Sequence, residues 1–77
     1  EPAHLLRDIC RDYRQTGEPV PDHRLQLVGY MGEAALIALL SAGLIEKQPG
    51  GRLSLYCYEP TQEGLRQWEK LEAEGAF

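Results

Sequence analysis

The chain has 77 residues and a formal net charge of −4, with 12 acidic side chains against 8 lysines and arginines. A chain of this length forms one small domain with a modest core, and its acidic balance argues against a general nucleic-acid binder, since contact with phosphates favours a basic surface. The two isolated cysteines fit neither a zinc site nor a disulfide scaffold, and they indicate reduced thiols in a cytoplasmic protein.

The N-terminal segment predicts an amphipathic helix that begins near Pro2 or Ala3 and ends at Gly17. Its apolar stripe consists of Leu5, Leu6, Ile9, Cys10 and Tyr13. The opposite side carries Arg7, Arg11 and Arg14, interleaved with Asp8 and Asp12. Two interpretations stay open: a solvated face partly neutralised by the aspartates, or an edge that contacts phosphates.

The next segment is an extended connector followed by a short second helix. Val20 lies between two prolines, which favours a short edge strand. Asp22 is expected to cap a helix that continues to Val28, with Leu25 and Val28 facing the core. Gly29 closes this helix.

Residues 30–45 contain the apolar third helix, which Gly43 terminates. With a dozen apolar residues, the run is shorter than the roughly 20 residues that a membrane span needs. The expected core-facing positions are Gly32, Ala35, Leu36 and Leu39. The expected outward positions are Tyr30, Met31, Glu33, Ala34, Ile37, Ala38 and Ser41. This helix is either wrapped by the others within one chain, or it exposes an apolar face for dimerisation or docking.

A hairpin and a last helix complete the chain. Residues 44–48 predict a strand, Pro49-Gly50-Gly51 a tight reversal with glycines at positive φ, and residues 52–58 the return strand. Leu53, Leu55 and Cys57 would share one face of that strand, and Ser54, Tyr56 and Tyr58 the other. Thr61 should cap the last helix, Trp68 should pack between this helix and the hairpin, and Gly75 should end the helix before a tail at residues 75–77. The ordered core is expected to cover about residues 3–74.

Two segments carry a resemblance to a known family: Ala-Gly-Leu-Ile-Glu-Lys at residues 42–47, and Tyr-Glu-Pro-Thr-Gln-Glu-Gly at residues 58–64. With the hairpin between them, the chain resembles a winged helix-turn-helix domain of bacterial and archaeal transcription regulators (the MarR/PadR-like superfamily). The resemblance implies an α+β fold over residues 1–77, with a three-helix core, a short two-stranded β-hairpin wing and a C-terminal helix. It also implies that the third helix and the wing bind duplex DNA. The matching contact positions are Tyr30, Ser41, Arg24, Lys47, Arg52, Arg7, Arg11 and Arg14.

The outward face of the third helix points to a different function. Side chains that read base edges are usually polar or cationic, whereas this face offers methionine, alanine and isoleucine. We therefore expect a non-catalytic domain that acts mainly through protein contact, with itself or with another subunit. DNA-associated machinery is one setting that fits this expectation. The expected interface residues are Met31, Ala34, Ile37, Ala38, Leu40 and Tyr56. Duplex DNA binding by a transcription-regulator domain is the alternative.

The sequence offers no constellation typical of a catalytic or cofactor site. It contains no nucleophile elbow, phosphate-binding glycine loop or histidine–carboxylate metal spacing. We therefore expect no enzymatic activity, cofactor, metal or small-molecule substrate.

Overall fold

The computed structural model describes residues 2–25 and 29–77, and the side chains of these residues apart from 29–31. It contains three helices: α1 (Pro2–Thr16), α2 (Gly29–Ser41) and α3 (Gln62–Ala73). The strands are β1 (Val20–Pro21), β2 (Ile45–Pro49) and β3 (Tyr56–Pro60), and a one-turn 3₁₀ helix (Asp22–Arg24) follows β1. The apolar helix that was predicted as the third helix is α2.

Each of the three α-helices ends at a glycine in the left-handed conformation, as predicted. Gly17, Gly43 and Gly75 have φ values of 73°, 72° and 71°. After α2, the amide of Gly43 donates to the Leu40 carbonyl at 3.1 Å and that of Leu44 to the Leu39 carbonyl at 3.0 Å. These two bonds form a Schellman motif, which satisfies carbonyls that the helix itself leaves free and turns the chain into β2.

The sheet has three antiparallel strands in the order β1-β3-β2. Val20 pairs with Tyr58, and Ile45 pairs with Pro60 at the other side of β3. The α+β class, the edge strand at Val20 and a hairpin of two strands are therefore confirmed, and β1 extends the hairpin to a three-stranded sheet.

The core lies between α1, α2 and the inner face of this sheet. Its fully buried side chains are those of Leu6, Ile9, Cys10 and Val20. Leu25, Leu39, Ile45 and Tyr58 complete the buried cluster, and Leu65 and Trp68 of α3 pack against it. The apolar stripe predicted for α1 thus supplies the base of the core.

The predicted second helix is described only as far as Leu25. A single 3₁₀ turn covers Asp22–Arg24, and residues 26–28, including Val28, lie outside the described part of the chain. Asp22 does not cap this turn. Its carboxylate instead accepts a hydrogen bond from the amide of Tyr56 at 3.3 Å. Leu25 is buried, as predicted.

The hairpin also differs from the prediction. The return strand begins at Tyr56, so residues 50–55 form a loop, which we call the wing tip. Neither Gly50 nor Gly51 has a positive φ. Gly50 is needed for space, because a Cβ there would lie 2.3 Å from the carbonyl oxygen of Ser54.

Thr61 and Gly64 join α3 to the corner between α2 and β2. The Thr61 hydroxyl accepts from the Gly64 amide at 3.0 Å, which confirms the predicted N-cap, and donates to the Gly43 carbonyl at 2.7 Å. The Thr61 amide donates to the Leu44 carbonyl at 3.0 Å. This corner fixes the C-terminal end of α2 and hence the direction in which its outward face points.

Candidate protein-interaction surface

The described part of α2 has a buried side and an exposed side with the register that its sequence predicts. Ala35 and Leu39 are buried, and Gly32 and Leu36 are half-buried. We call the exposed side the α2 face; it consists of Glu33, Ala34, Ile37, Ala38 and Ser41. The side chain of Ile37 is the large apolar group of this face and is 62% exposed.

Two further residues of the expected interface lie elsewhere, and the side chain of a third, Met31, cannot be placed. Leu40 is half-buried and packs against the core, because it is one position past Leu39 on the side that meets the other elements; its assignment to an exposed surface is wrong. Tyr56 lies on β3 and is 43% exposed. The side chains of Tyr30 and Met31 lie outside the described part of the chain.

The wing tip is a second exposed apolar surface, which was not predicted from the sequence. Leu53 is 85% exposed and Leu55 is 81% exposed. The alternation of residues 52–58 suggested a strand with a packed face, but the loop carries both leucines away from the core. Next to the wing tip, the ammonium group of Lys47 lies 4.3 Å from the centre of the Tyr56 ring, a cation–π contact.

The wing tip is held by polar contacts at both of its ends. The amide of Gly50 donates to the Leu55 carbonyl at 3.0 Å. Ser54 Oγ and His23 Nδ1 share a hydrogen bond of 2.7 Å, which ties the loop to the 3₁₀ turn. An open cleft of about 340 Å³ lies between the wing tip, this turn and the connector before β1.

Most of the arginines proposed for DNA contact form ion pairs with carboxylates of the same chain. Arg11 binds Glu72 at 2.9 Å, and Arg14 binds Glu69 at 2.6 Å. Both pairs connect α1 to α3, a long-range arrangement that sequence spacing does not reveal. The ring of Trp68 lies beneath the guanidinium of Arg14, so this tryptophan contacts α1.

Two more of these five arginines are paired as well. Arg24 donates to both carboxylate oxygens of Asp12 at 3.0 Å, and Arg7 binds Asp8 at 3.1 Å. Within the described ranges, Lys47, Arg52 and Lys70 form no ion pair. Of the cations expected to contact DNA, Lys47 and Arg52 are thus the two that have no carboxylate partner among residues 2–25 and 29–77.

Neither cysteine has the environment of a reactive thiol. Burial raises the pKa of Cys10 to about 12, and its Sγ lies 4.0 Å from the Gly64 carbonyl oxygen. Cys57 is half-buried, with its Sγ 3.4 Å from the Pro49 carbonyl oxygen. Burial, together with the Asp22 carboxylate, raises the pKa of Tyr58. These groups are suited to packing rather than to nucleophilic chemistry.

Comparisons with protein-family profiles, characterised proteins and solved structures find no match to this chain. Across residues 2–25 and 29–77, no group of three or more histidine, cysteine or acidic side chains is placed to hold a metal ion. None of the described helices is long and apolar enough to cross a membrane.

Proposed function

We propose that this chain is a non-catalytic winged-helix domain that acts mainly through protein contact, and that the α2 face is its contact surface. The element order and the β1-β3-β2 sheet, with a hairpin that extends past the core, support the winged-helix assignment. The observation that carries the function is the exposure of Ile37 between Ala34 and Ala38 on a helix without a single cation.

The energetic argument concerns what α2 leaves in water. Fully burying an isoleucine side chain is worth about 1.5–3 kcal/mol relative to leaving it exposed. The net stability of a domain of this size is small, so leaving one such side chain in water is a sizeable loss. A partner laid along the α2 face would bury Ile37, and the flanking alanines would allow its backbone to approach closely.

The charges favour a protein partner over DNA. Residues 25–46 contain Glu33 and Glu46 but no lysine or arginine, so α2 would bring a carboxylate and no compensating cation to a DNA groove. Of the α1 arginines that could contact phosphates, Arg11 and Arg14 pair with Glu72 and Glu69, and Arg7 pairs with Asp8. Affinity for DNA depends on neutralising several phosphates, and the cations near the wing tip are few.

Site-specific photo-cross-linking of the full chain in its native host tests this function. A photoreactive amino acid in place of Ile37 should form adducts with protein. The same group in place of Gln67, which is exposed on α3, is the matched control. Protein adducts at position 37 and not at position 67 would support the proposal, whether the partner is this chain or another.

A titration with mixed-sequence duplex DNA at low salt tests the alternative. The proposal predicts no salt-dependent shifts in the NMR spectrum of the domain. Binding that weakens steeply with salt, combined with nucleic-acid adducts or no adducts at position 37, would overturn protein contact in favour of a DNA-binding regulator.

A further inference from the structure

The two exposed apolar surfaces of this chain carry opposite charges. The α2 face contains Glu33 and lies within a stretch, residues 25–46, that has no cation. The wing tip contains Arg52 and lies within residues 47–58, which include Lys47 but no aspartate or glutamate. The wing tip itself thus carries a cation and no carboxylate, with Glu18 and Asp22 near its base, whereas the described side chains of the α2 face include a carboxylate and no cation.

Each surface supplies what the other lacks. Leu53 and Leu55 are more than four-fifths exposed, and the cations beside them would attract an acidic apolar surface. Ile37 is more than half exposed, and Glu33 on the same face would attract a basic apolar surface. The two surfaces are therefore complementary in charge, and both are apolar.

Resting on the proposed function, we propose that the partner of the α2 face is a second copy of this chain, whose wing tip covers it. The exchange is reciprocal about a two-fold axis, so that the wing tip of each copy lies on the α2 face of the other. In such an isologous dimer every contact occurs twice. Both apolar surfaces are buried, and Glu33 of each copy lies near Arg52 of the other.

Direct pairing of α2 with α2 is a poorer arrangement. A helix of 13 residues is only about 20 Å long, whereas a stable interface buries about 800 Å² on each partner. Pairing α2 with itself would also place the acidic faces against each other and leave Leu53 and Leu55 in water. Including the wing tip enlarges the interface and removes the conflict between like charges.

Hydrogen bonds within the chain restrain the conformation of the wing tip. Its bonds from Gly50 to Leu55 and from Ser54 to His23 restrain the loop before a partner arrives. A loop that is already restrained loses less conformational entropy on binding, which favours association.

Sedimentation equilibrium on the full chain over a wide concentration range tests the proposal. The unmodified chain should form a dimer. Glu33→Arg and Arg52→Glu should each raise its dissociation constant at least tenfold, and combining them should restore it to within about threefold of the original value. Lys70→Glu, which makes the same charge change on the exposed side of α3, is the matched control and should leave dimerisation unchanged.

A second pair of variants tests the apolar part of the interface. Ile37→Ser, and Leu53→Ser together with Leu55→Ser, should each weaken the dimer at least tenfold while circular dichroism shows an unchanged fold, since these side chains are exposed. A monomeric unmodified chain, a dimer indifferent to the leucine changes, or a charge exchange that fails to restore association would each overturn the proposal.

The cross-linking at position 37 separates this inference from the function on which it rests. Adducts between position 37 and the wing-tip peptide of a second copy of this chain would support both the dimer and the proposed function. Adducts with another protein, together with a monomeric chain, would overturn the second copy as partner but leave protein contact through α2 intact. The absence of any protein adduct would overturn both.

Discussion

Replacing Gly64 by alanine should destabilise the domain strongly, although alanine is the better helix former. Gly64 is buried in the first turn of α3, where this helix meets the corner that ends α2. An added Cβ would lie 1.9 Å from the Leu44 carbonyl oxygen and 2.9 Å from its carbonyl carbon. Both atoms belong to the backbone, so no side-chain rotation can relieve the overlap.

The cost follows from the movement that the overlap requires. Widening 1.9 Å to the 3.0 Å that real Cβ contacts show means a separation of about 1.1 Å between α3 and the corner. Such a shift disrupts the bonds of Thr61 to Gly43 and Leu44, worth about 0.5–1.5 kcal/mol each. Overpacking adds about 1–3 kcal/mol, and the helix propensity of alanine returns at most about 1 kcal/mol. We therefore expect a net loss of about 1–5 kcal/mol.

Urea denaturation followed by circular dichroism measures this loss. Gly51→Ala is the matched control, because a Cβ at that position has no neighbour within 4 Å and φ is not positive. This control should leave the free energy of unfolding within about 1 kcal/mol of the original, with any change stabilising. If Gly64→Ala is as stable as Gly51→Ala, the close approach of α3 to Leu44 is refuted, and with it the role of this corner in fixing the C-terminal end of α2.

Three further predictions concern the cap of α3, the register of α2 and the buried thiol. Thr61→Ala should lower the free energy of unfolding by about 1–2 kcal/mol, since the Gly64 amide loses its acceptor. Thr61→Ser keeps a hydroxyl and should lower the free energy of unfolding much less. Equal losses in the two variants would contradict the capping role. In the monomer, at concentrations below the dissociation constant of the proposed dimer, Ile37→Ala should cost less than about 1 kcal/mol, because the side chain is mostly exposed, whereas Leu39→Ala should cost about 2–5 kcal/mol. The reverse order in urea denaturation at those concentrations would show that the register is wrong. Because burial raises the pKa of Cys10 to about 12, the folded chain keeps a proton that the unfolded chain releases near pH 9. The free energy of unfolding should therefore be unaffected by this thiol below pH 9 and fall above it by up to about 1.4 kcal/mol per pH unit. Urea denaturation between pH 8 and pH 11 should show that the free energy of unfolding falls less steeply with pH in Cys10→Ala than in the unmodified chain. An identical fall in both would rule out this thiol as a source of the pH dependence.

The sequence predicted best where the deciding interactions are local. Gly17, Gly43 and Gly75 end their helices because a glycine adopts positive φ without strain, whatever packs nearby. Thr61 caps α3 through an amide only three residues away. The register of α2 followed from counting back from Gly43, since helical periodicity fixes which side chains share a face with Leu39.

Predictions failed where the outcome depends on distant segments. Asp22 has the chemistry of an N-cap, but the amide of Tyr56 lies within reach of its carboxylate, and that amide is brought there by the sheet. Leu53 and Leu55 alternate as in a strand, yet the ladder with β2 stops at Tyr56. The helical spacing of Arg11 and Arg14 could not show that two glutamates of α3 neutralise them.

By itself, therefore, the sequence determined where the helices end, which side of α2 faces inwards, and that the outward side carries alanine, isoleucine and a glutamate but no cation. These properties depend on backbone preference and periodicity within a few residues. Only the tertiary structure decided which charges remain unpaired and that the hairpin presents two leucines to solvent. Both depend on contacts between residues more than 30 positions apart, such as Arg14 with Glu69 and His23 with Ser54, and no local pattern encodes such a contact.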